Sequence, residues 1–129
     1  MNPMLPLAGR FLIAAVFLVA GIRKVLAFSV QVAYFTKLGF PMPEVMTVLA
    51  ILIELSAGLA LVIGWKTRWA AWLLALFVLI ATFAAHRFWE FDAAQQANQM
   101  NHFLKNLAII GGLFFVAAFG PGRLSVDKS

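Results

Sequence analysis

Cysteine is absent from the chain, and charged side chains make up only 12% of its 129 residues. The lack of cysteine excludes disulfide bonds, thiol redox catalysis and metal clusters held by cysteine. The scarcity of charge argues against a soluble domain, in which about a quarter of the residues are charged. Acidic residues number five against ten lysines and arginines, which gives a formal net charge of +5. Because the basic residues stand at the ends of apolar segments, they indicate membrane anchoring and not a nucleic-acid-binding face.

Hydrophobic residues make up 64% of the chain. A soluble domain of this length has too much surface for its volume to hide so many apolar side chains. We therefore predict a single membrane domain over residues 1–129. No Lys or Arg precedes Arg10, and no A-x-A cleavage signal follows the first apolar run. These features favour a first helix that is retained in the membrane over a cleaved signal peptide.

Four apolar segments are long enough to span a bilayer as helices: about residues 5–27, 45–63, 69–86 and 102–119. At a rise of about 1.5 Å per residue, roughly 20 residues cross a hydrocarbon core of about 30 Å. We therefore predict an all-α fold, an integral membrane four-helix bundle. Residues 65–68 form a very short connection, so the second and third spans are expected to be antiparallel neighbours.

A shorter and more polar segment, residues 28–40, lies between the first two spans. It is too short to cross the membrane, and its aromatic residues together with Lys37 suit an interfacial helix. Gly39 fits a helix C-cap, and Pro41 and Pro43 are expected to end this helix and begin the second span. Residues 90–101 contain neither Gly nor Pro and are predicted to form an exposed polar loop with some helical tendency.

The second span carries one carboxylate, Glu54, near its centre. A carboxylate at this depth is costly unless it is protonated, paired with a cation or turned toward a hydrated interior. We predict that Glu54 faces the interior of the bundle and pairs with Lys105, with Lys24 as the second choice. The alternative is a structural role, in which the paired carboxylate locks the register of the helices.

Alternating helix directions place several polar residues at a similar depth, in the half of the bundle away from the termini. The predicted polar interior consists of Glu54, Lys105, Lys24, His86 and Asn106. Arg23 and Lys24 point in different directions on a helix, so only one of them is expected to face the bundle. Arg10 and Lys24 are expected to extend toward opposite membrane interfaces.

His86 and His102 raise the question of a haem, or of a metal site completed by Glu90 or Asp92. Both histidines stand at helix ends, where histidine is common at a membrane interface without a ligand role. No second histidine pair, no C-x-x-C-H motif and no i, i+4 pair of ligands accompanies them. We therefore predict no metal site.

Short motifs run through most of the chain in a distinctive order. They are Gly21-x-x-Lys24, Gly39-x-Pro41-x-Pro43, Glu54 with Gly58 and Gly64 downstream, Lys66-Thr67-Arg68, His86 with Trp89, Phe103-Leu104-Lys105-Asn106, Gly111-Gly112, and Gly120-Pro121-Gly122 leading to Ser125-x-Asp127. Each motif is weak by itself, whereas the ordered set is specific. In this order the chain resembles the DoxX family of small bacterial membrane proteins.

The resemblance implies a four-helix membrane bundle in the bacterial inner membrane. The family takes its name from a subunit of a thiosulfate:quinone oxidoreductase, and some relatives associate with oxidative-stress proteins. We therefore expect a membrane subunit or accessory factor in redox metabolism, with quinone as its cofactor and a membrane or peripheral oxidoreductase as its partner. In that role His86 or Lys105 would hydrogen-bond a quinone oxygen, and Glu54 would relay protons. The resemblance carries over no set of catalytic residues.

Two other functions stay open at this point. One is a non-enzymatic scaffold or assembly factor that packs against partners, or against a second copy, through faces such as Gly111-Gly112. The other is a small transporter. Four short helices without an inverted repeat or a broken helix leave little room for alternating access unless the protein oligomerises.

Four spans place both termini on one side, and the basic residues outside the helices predict that this side is cytoplasmic. Four of them lie with the termini (Lys66, Arg68, Arg123, Lys128) and two on the other side (Lys37, Arg87), and basic loops stay in the cytoplasm. A reporter that is active only in the cytoplasm, fused after Ser129, should therefore give a signal. A silent fusion that is stably inserted would reverse the orientation.

Overall fold

The computed structural model describes residues 2–127; Lys128 and Ser129, which enter the topology prediction, lie outside them. The chain forms α1 (Met4–Leu26), α2 (Phe28–Lys37), α3 (Pro43–Ile63), α4 (Thr67–Ala85) and α5 (Ala93–Phe119). A 3-10 turn, Phe88–Glu90, lies between α4 and α5. Residues 2–127 contain no strand, so the predicted all-α fold is confirmed.

Four of the helices, α1, α3, α4 and α5, are long and apolar enough to cross a membrane. Large apolar side chains such as Leu12, Leu52 and Leu76 have more than half of their surface exposed on the outside of the bundle. A bilayer solvates such a surface, whereas water would not. Helix α2 has 10 residues and is therefore about 15 Å long. It cannot cross the membrane, in agreement with the predicted interfacial helix.

Small residues let the spanning helices pack closely. Helix α1 packs along α3, α3 along α4, and α4 along α5. Alanines dominate the buried core, which includes Ala14, Ala57, Ala60, Ala70, Ala71, Ala75 and Ala117. A Cβ atom at Gly58 of α3 would come within 3.1 Å of Leu18 of α1. Close van der Waals contact of this kind holds membrane helices together, because lipid is as apolar as the core.

The two central glycines of α5 differ in what they contact. A Cβ atom at Gly112 would lie 3.3 Å from the side chain of Ile13, so this glycine is where α5 approaches α1. A Cβ atom at Gly111 would have no neighbouring atom within 4 Å. The prediction that small residues here admit another helix is therefore confirmed for Gly112, and Gly111 lies on a more open part of the helix surface.

A proline and a glycine mark the two ends of α3, and the proline is the one predicted to begin this span. Pro43 stands at the start of α3, where a missing N–H leaves no hydrogen bond unmade. Gly64 ends α3 with φ of 73°, in the left-handed region that glycine adopts without strain. Three residues, Gly64 to Lys66, then separate α3 from α4. This short connection makes the two helices antiparallel neighbours, as predicted.

Helix α5 begins at Ala93, so most of the predicted polar loop over residues 90–101 is helical. The Asp92 side chain accepts a hydrogen bond of 3.1 Å from the Gln95 N–H and so caps the helix. The 27 residues of α5 extend about 40 Å, more than the bilayer core requires. The polar first turns of α5 therefore project from the hydrocarbon region. The loop prediction was wrong because hydropathy shows only the apolar part of a helix that crosses the membrane and not its polar extension.

Arg10 is buried inside the bundle, with 1% of its surface exposed. Its guanidinium donates to the carbonyl oxygens of Leu61, at 2.7 Å, and Val62, at 3.2 Å, in the last turn of α3. It also donates to the carbonyl of Leu124. The last carbonyls of a helix have no partner within that helix. The prediction that Arg10 extends to the interface was wrong, because these carbonyls offer it partners inside the protein.

The segment after α5 closes the same end of the bundle. The Asp127 carboxylate accepts hydrogen bonds of 2.8 Å from both the Lys66 and Thr67 N–H groups at the start of α4. The Asp127 N–H donates back to the Gly64 carbonyl at 2.8 Å. Burial acts to raise the pKa of Asp127, but the amide hydrogen bonds outweigh it and hold that pKa below its usual value.

We predict that Asp127→Asn lowers the free energy of unfolding by about 0.5–2 kcal/mol near neutral pH, the usual cost of a lost N-cap. Asparagine has one oxygen for the two N–H groups that the carboxylate caps. Because the pKa of folded Asp127 is depressed, its contribution is present above the unfolded-state pKa and is lost as the pH falls through the folded value. Thermal unfolding in detergent should show the two proteins converging below about pH 4.

Asp92→Asn is the matched control, because Asp92 makes a single capping bond that asparagine also makes. A stability difference between Asp127→Asn and the wild type that stays constant down to acidic pH would show that the charge of Asp127 is not responsible.

Candidate functional site

A cavity of about 480 Å³ occupies the half of the bundle away from the termini. Side chains from all five helices line it. Its apolar lining includes Phe17, Ile53, Phe77 and Ile109. Gln31, Tyr34 and Phe35 of α2 also line it, together with Leu38, which directly follows α2. The polar side chains Lys24, Glu54, His86 and Asn106 also line it. Four of the five predicted polar interior residues therefore meet around one space.

Lys24 and Glu54 form an ion pair across α1 and α3, with 2.7 Å between Lys24 Nζ and Glu54 Oε1. Their side chains are 17% and 4% exposed. Gly21 makes this contact possible, because a Cβ atom there would lie 2.7 Å from the Leu55 side chain. Lys24 follows Gly21 by three residues and therefore lies on the same face of α1. The prediction that one of Arg23 and Lys24 faces the bundle is confirmed, since Arg23 is exposed.

The two charged groups of the ion pair can make further hydrogen bonds. Lys24 Nζ, 2.7 Å away, is the partner of Glu54 Oε1, and no other group among residues 2–127 donates a hydrogen bond to this oxygen. The Lys24 ammonium has three N–H groups, which exceed what one carboxylate oxygen uses. A ligand that both donates and accepts hydrogen bonds can therefore join the pair without breaking it.

Lys105, the first choice as the partner of Glu54, does not reach it. The side chain is exposed, and no ion pair of Lys105 occurs within the described residues. Asn106 and Ile109 are the α5 residues that line the cavity. Successive helical residues are separated by about 100° around the axis, which turns Lys105 away from that face. The prediction was wrong because depth alone cannot show which face of a helix a residue occupies.

His86 lines the cavity at the end of α4. Its Nδ1 lies 2.7 Å from Gln99 Oε1. In the tautomer that donates from Nδ1 to this oxygen, Nε2 is an acceptor. The ring stacks on His102, with centroids 4.9 Å apart and planes 21° from parallel. Stacked faces do not direct their nitrogens at one metal between them. No group of three or more His, Cys, Asp or Glu within residues 2–127 is arranged to hold a metal ion.

Asn106 is held by Thr82, a residue that the sequence analysis did not select. Asn106 Nδ2 donates to Thr82 Oγ1 at 3.0 Å, and Thr82 Oγ1 donates to the Val78 carbonyl at 2.6 Å. Thr82 is fully buried. The amide of Asn106 is thereby oriented, with its second N–H free to donate. The signal in the sequence was Thr82 itself, the single hydroxyl residue of the third predicted span after residue 68.

The lining residues of α2, and Leu38 directly after it, were also missed. Gln31, Tyr34, Phe35 and Leu38 follow the i, i+3, i+4, i+7 spacing of one helical face. This spacing is visible in the sequence and would have predicted that α2 turns one side toward the bundle. Partial burial raises the pKa of Tyr34, so its hydroxyl stays neutral and can donate a hydrogen bond at physiological pH.

We predict that Glu54→Gln and Lys24→Met each lower the free energy of unfolding by up to about 3–5 kcal/mol, because each leaves a buried charge without its partner. The double variant should lose much less than the sum of the two. Chemical or thermal unfolding in detergent measures this coupling. Arg23→Met and Lys105→Met are matched controls, since both residues are exposed. Additive losses for Glu54 and Lys24 would show that the ion pair does not form.

The family model of DoxX matches residues 5–87. The chain is 31% identical over 127 residues to the inner membrane protein YphA of Escherichia coli, covering 98% of this chain and 91% of that protein. It is 34% identical over 122 residues to the inner membrane protein YqjF of Escherichia coli, covering 95% of this chain and 88% of that protein.

A more distant relative is the ER-derived vesicles protein ERV29 of Saccharomyces cerevisiae, 27% identical over 121 residues. This match covers 94% of the chain but 32% of the yeast protein. No solved structure matches the chain. The family match, the two bacterial relatives and the four apolar spans agree. The chain therefore belongs to the DoxX family and is a membrane protein of the inner-membrane type.

Proposed function

We propose that the cavity binds a quinone and that the protein serves redox metabolism as a membrane subunit or accessory factor. One observation carries this proposal: an apolar cavity of about 480 Å³ that contains a buried ion pair with unused hydrogen-bonding capacity. Ligand cavities in proteins are typically about 300–1,000 Å³, mostly apolar, with a few polar groups that orient the ligand.

The lining fits the chemistry of a quinone head group. A quinone is a flat ring with two carbonyl acceptors, and aromatic side chains such as Phe17, Phe35 and Phe77 line the cavity. Aromatic rings pack on one another with an energy of about 0.5–1.5 kcal/mol beyond area burial. Lys24 and the free N–H of Asn106 supply donors for the carbonyl oxygens. Lys24 takes the position that the sequence analysis gave to Lys105.

A bound quinone supplies carrier chemistry for two electrons and two protons. The residues of this chain bind it and handle protons. In quinone reduction Glu54 would relay a proton to a quinone oxygen, while the Lys24 ammonium stays beside the carboxylate. His86, fixed by Gln99, offers Nε2 as an acceptor, which matches the hydroxyl of a quinol. The electrons would come from an oxidoreductase partner, as the resemblance to the DoxX family implies.

A non-enzymatic scaffold is the second candidate. It is favoured by Gly111, whose missing side chain leaves space that the described residues do not occupy. In Gly111→Leu the added side chain would fill this space, so a partner helix could no longer pack closely against Gly111. Binding of a quinone to the cavity would not depend on this face, so the two functions respond to different substitutions.

We predict that a benzoquinone head group without a tail, dimethoxy-methyl-benzoquinone, raises the melting temperature of the purified protein in a saturable manner. Ala20→Phe should weaken this binding by at least about tenfold, or about 1.4 kcal/mol, because Ala20 lines the cavity. Ala15→Phe on the same helix is the matched control, since Ala15 is exposed and lies outside the lining. Absence of a saturable shift in the wild type, or equal affinity in both variants, would reject the proposal.

A further inference from the structure

The cavity reaches the outer surface of the bundle at a small number of lining residues. Most of its lining is buried or partly buried, and the exposed members are Val16, Tyr34, Leu49 and Ile80. Leu49 on α3 is 45% exposed and Ile80 on α4 is 55% exposed. Leu49 and Ile80 are apolar residues on the packed, antiparallel helices α3 and α4, and we call the opening between them the α3–α4 mouth.

The α3–α4 mouth lies within the hydrocarbon layer. Leu49 comes six residues after Pro43 at the start of α3, which is about 9 Å along the helix. Ile80 comes five residues before Ala85 at the end of α4, which is about 8 Å. Because α3 and α4 are antiparallel, both residues lie at a similar depth below the same ends. The mouth therefore faces lipid and not water.

The charged end of the cavity lies at the edge of the α3 lining that is farthest from Leu49. Leu49 and Glu54 are five residues apart on α3, which separates them by about 140° around the helix axis. The other lining residues of α3 (Met46, Ala50, Ile53) lie between these two directions. The side of α3 that lines the cavity thus runs from the apolar mouth at Leu49 to the Lys24–Glu54 pair.

We propose that the ligand of this cavity is a bilayer-resident molecule with one long apolar tail, which leaves the protein between Leu49 and Ile80 while its head lies against Lys24 and Glu54. The quinone identity of the head rests on the proposed function, whereas the tail and its exit do not. A water-soluble ligand would need a polar entrance at the interface. This mouth is apolar and is positioned for a molecule that diffuses sideways through the membrane.

Narrowing the mouth tests the exit of the tail. The probes are dimethoxy-methyl-benzoquinone and the same head group carrying a decyl tail. Ile80→Trp should weaken binding of the tailed probe at least about tenfold more than binding of the head alone, a difference of about 1.4 kcal/mol. Leu49→Trp should do the same. The control Leu76→Trp should change neither, because Leu76 is exposed on α4 outside the lining. Equal effects on both probes would overturn the exit while leaving the quinone function intact.

A second probe keeps the inference testable even when no benzoquinone binds. A photoreactive single-chain alcohol, incorporated into nanodiscs with the protein, should cross-link to the interior residues Phe77 and Ala81. Its cross-links there should be lost in Ile80→Trp and retained in Leu76→Trp. Interior cross-links that persist in Ile80→Trp, or that are absent from the wild type, would overturn the lateral mouth. Interior cross-links without benzoquinone binding would support the mouth and reject the quinone function.

Discussion

Water is absent from the bilayer interior, so each polar group placed there must find its partner within the protein. This constraint explains why Lys24 reaches Glu54 and why Asn106 is held by Thr82. It also explains why a buried arginine, Arg10, satisfies the carbonyl groups that end α3. The polar contacts that join different helices help to decide which helix faces which neighbour.

The two ends of the bundle differ in how their polar groups find partners. At the end near the termini, Arg10 and Asp127 cap α3 and α4, while Arg68 donates to the carbonyl oxygens of Ala117 and Ala118 in the last turn of α5. Small residues pack closely beneath these caps. At the opposite end the helices enclose a cavity with an ion pair inside. The capped end thus holds the helices together, and the other end leaves space between them.

Sequence reasoning succeeded where the cause is local. Pro43 and Gly64 bound α3 because their backbone preferences act within one or two residues. It failed where the cause lies in rotation about a helix axis. Lys105 and Lys24 both lie at a suitable depth, and the direction in which each points around its helix axis decided between them. The start of α5 was missed for a related reason, since the amide-rich turns of Ala93 onward are helical without being apolar.

The amino-acid sequence by itself determined that the protein lies in a membrane, how many spans it has and that the second span carries a charged group. It also determined the ends of α3, because turn chemistry acts locally. The family assignment followed from an ordered set of short motifs. Tertiary structure alone decided that Lys24 is the partner of Glu54, that the segment after α5 caps α4, and that Thr82 holds Asn106. These contacts join residues far apart in the chain, and their formation depends on how the helices rotate and approach when small residues pack.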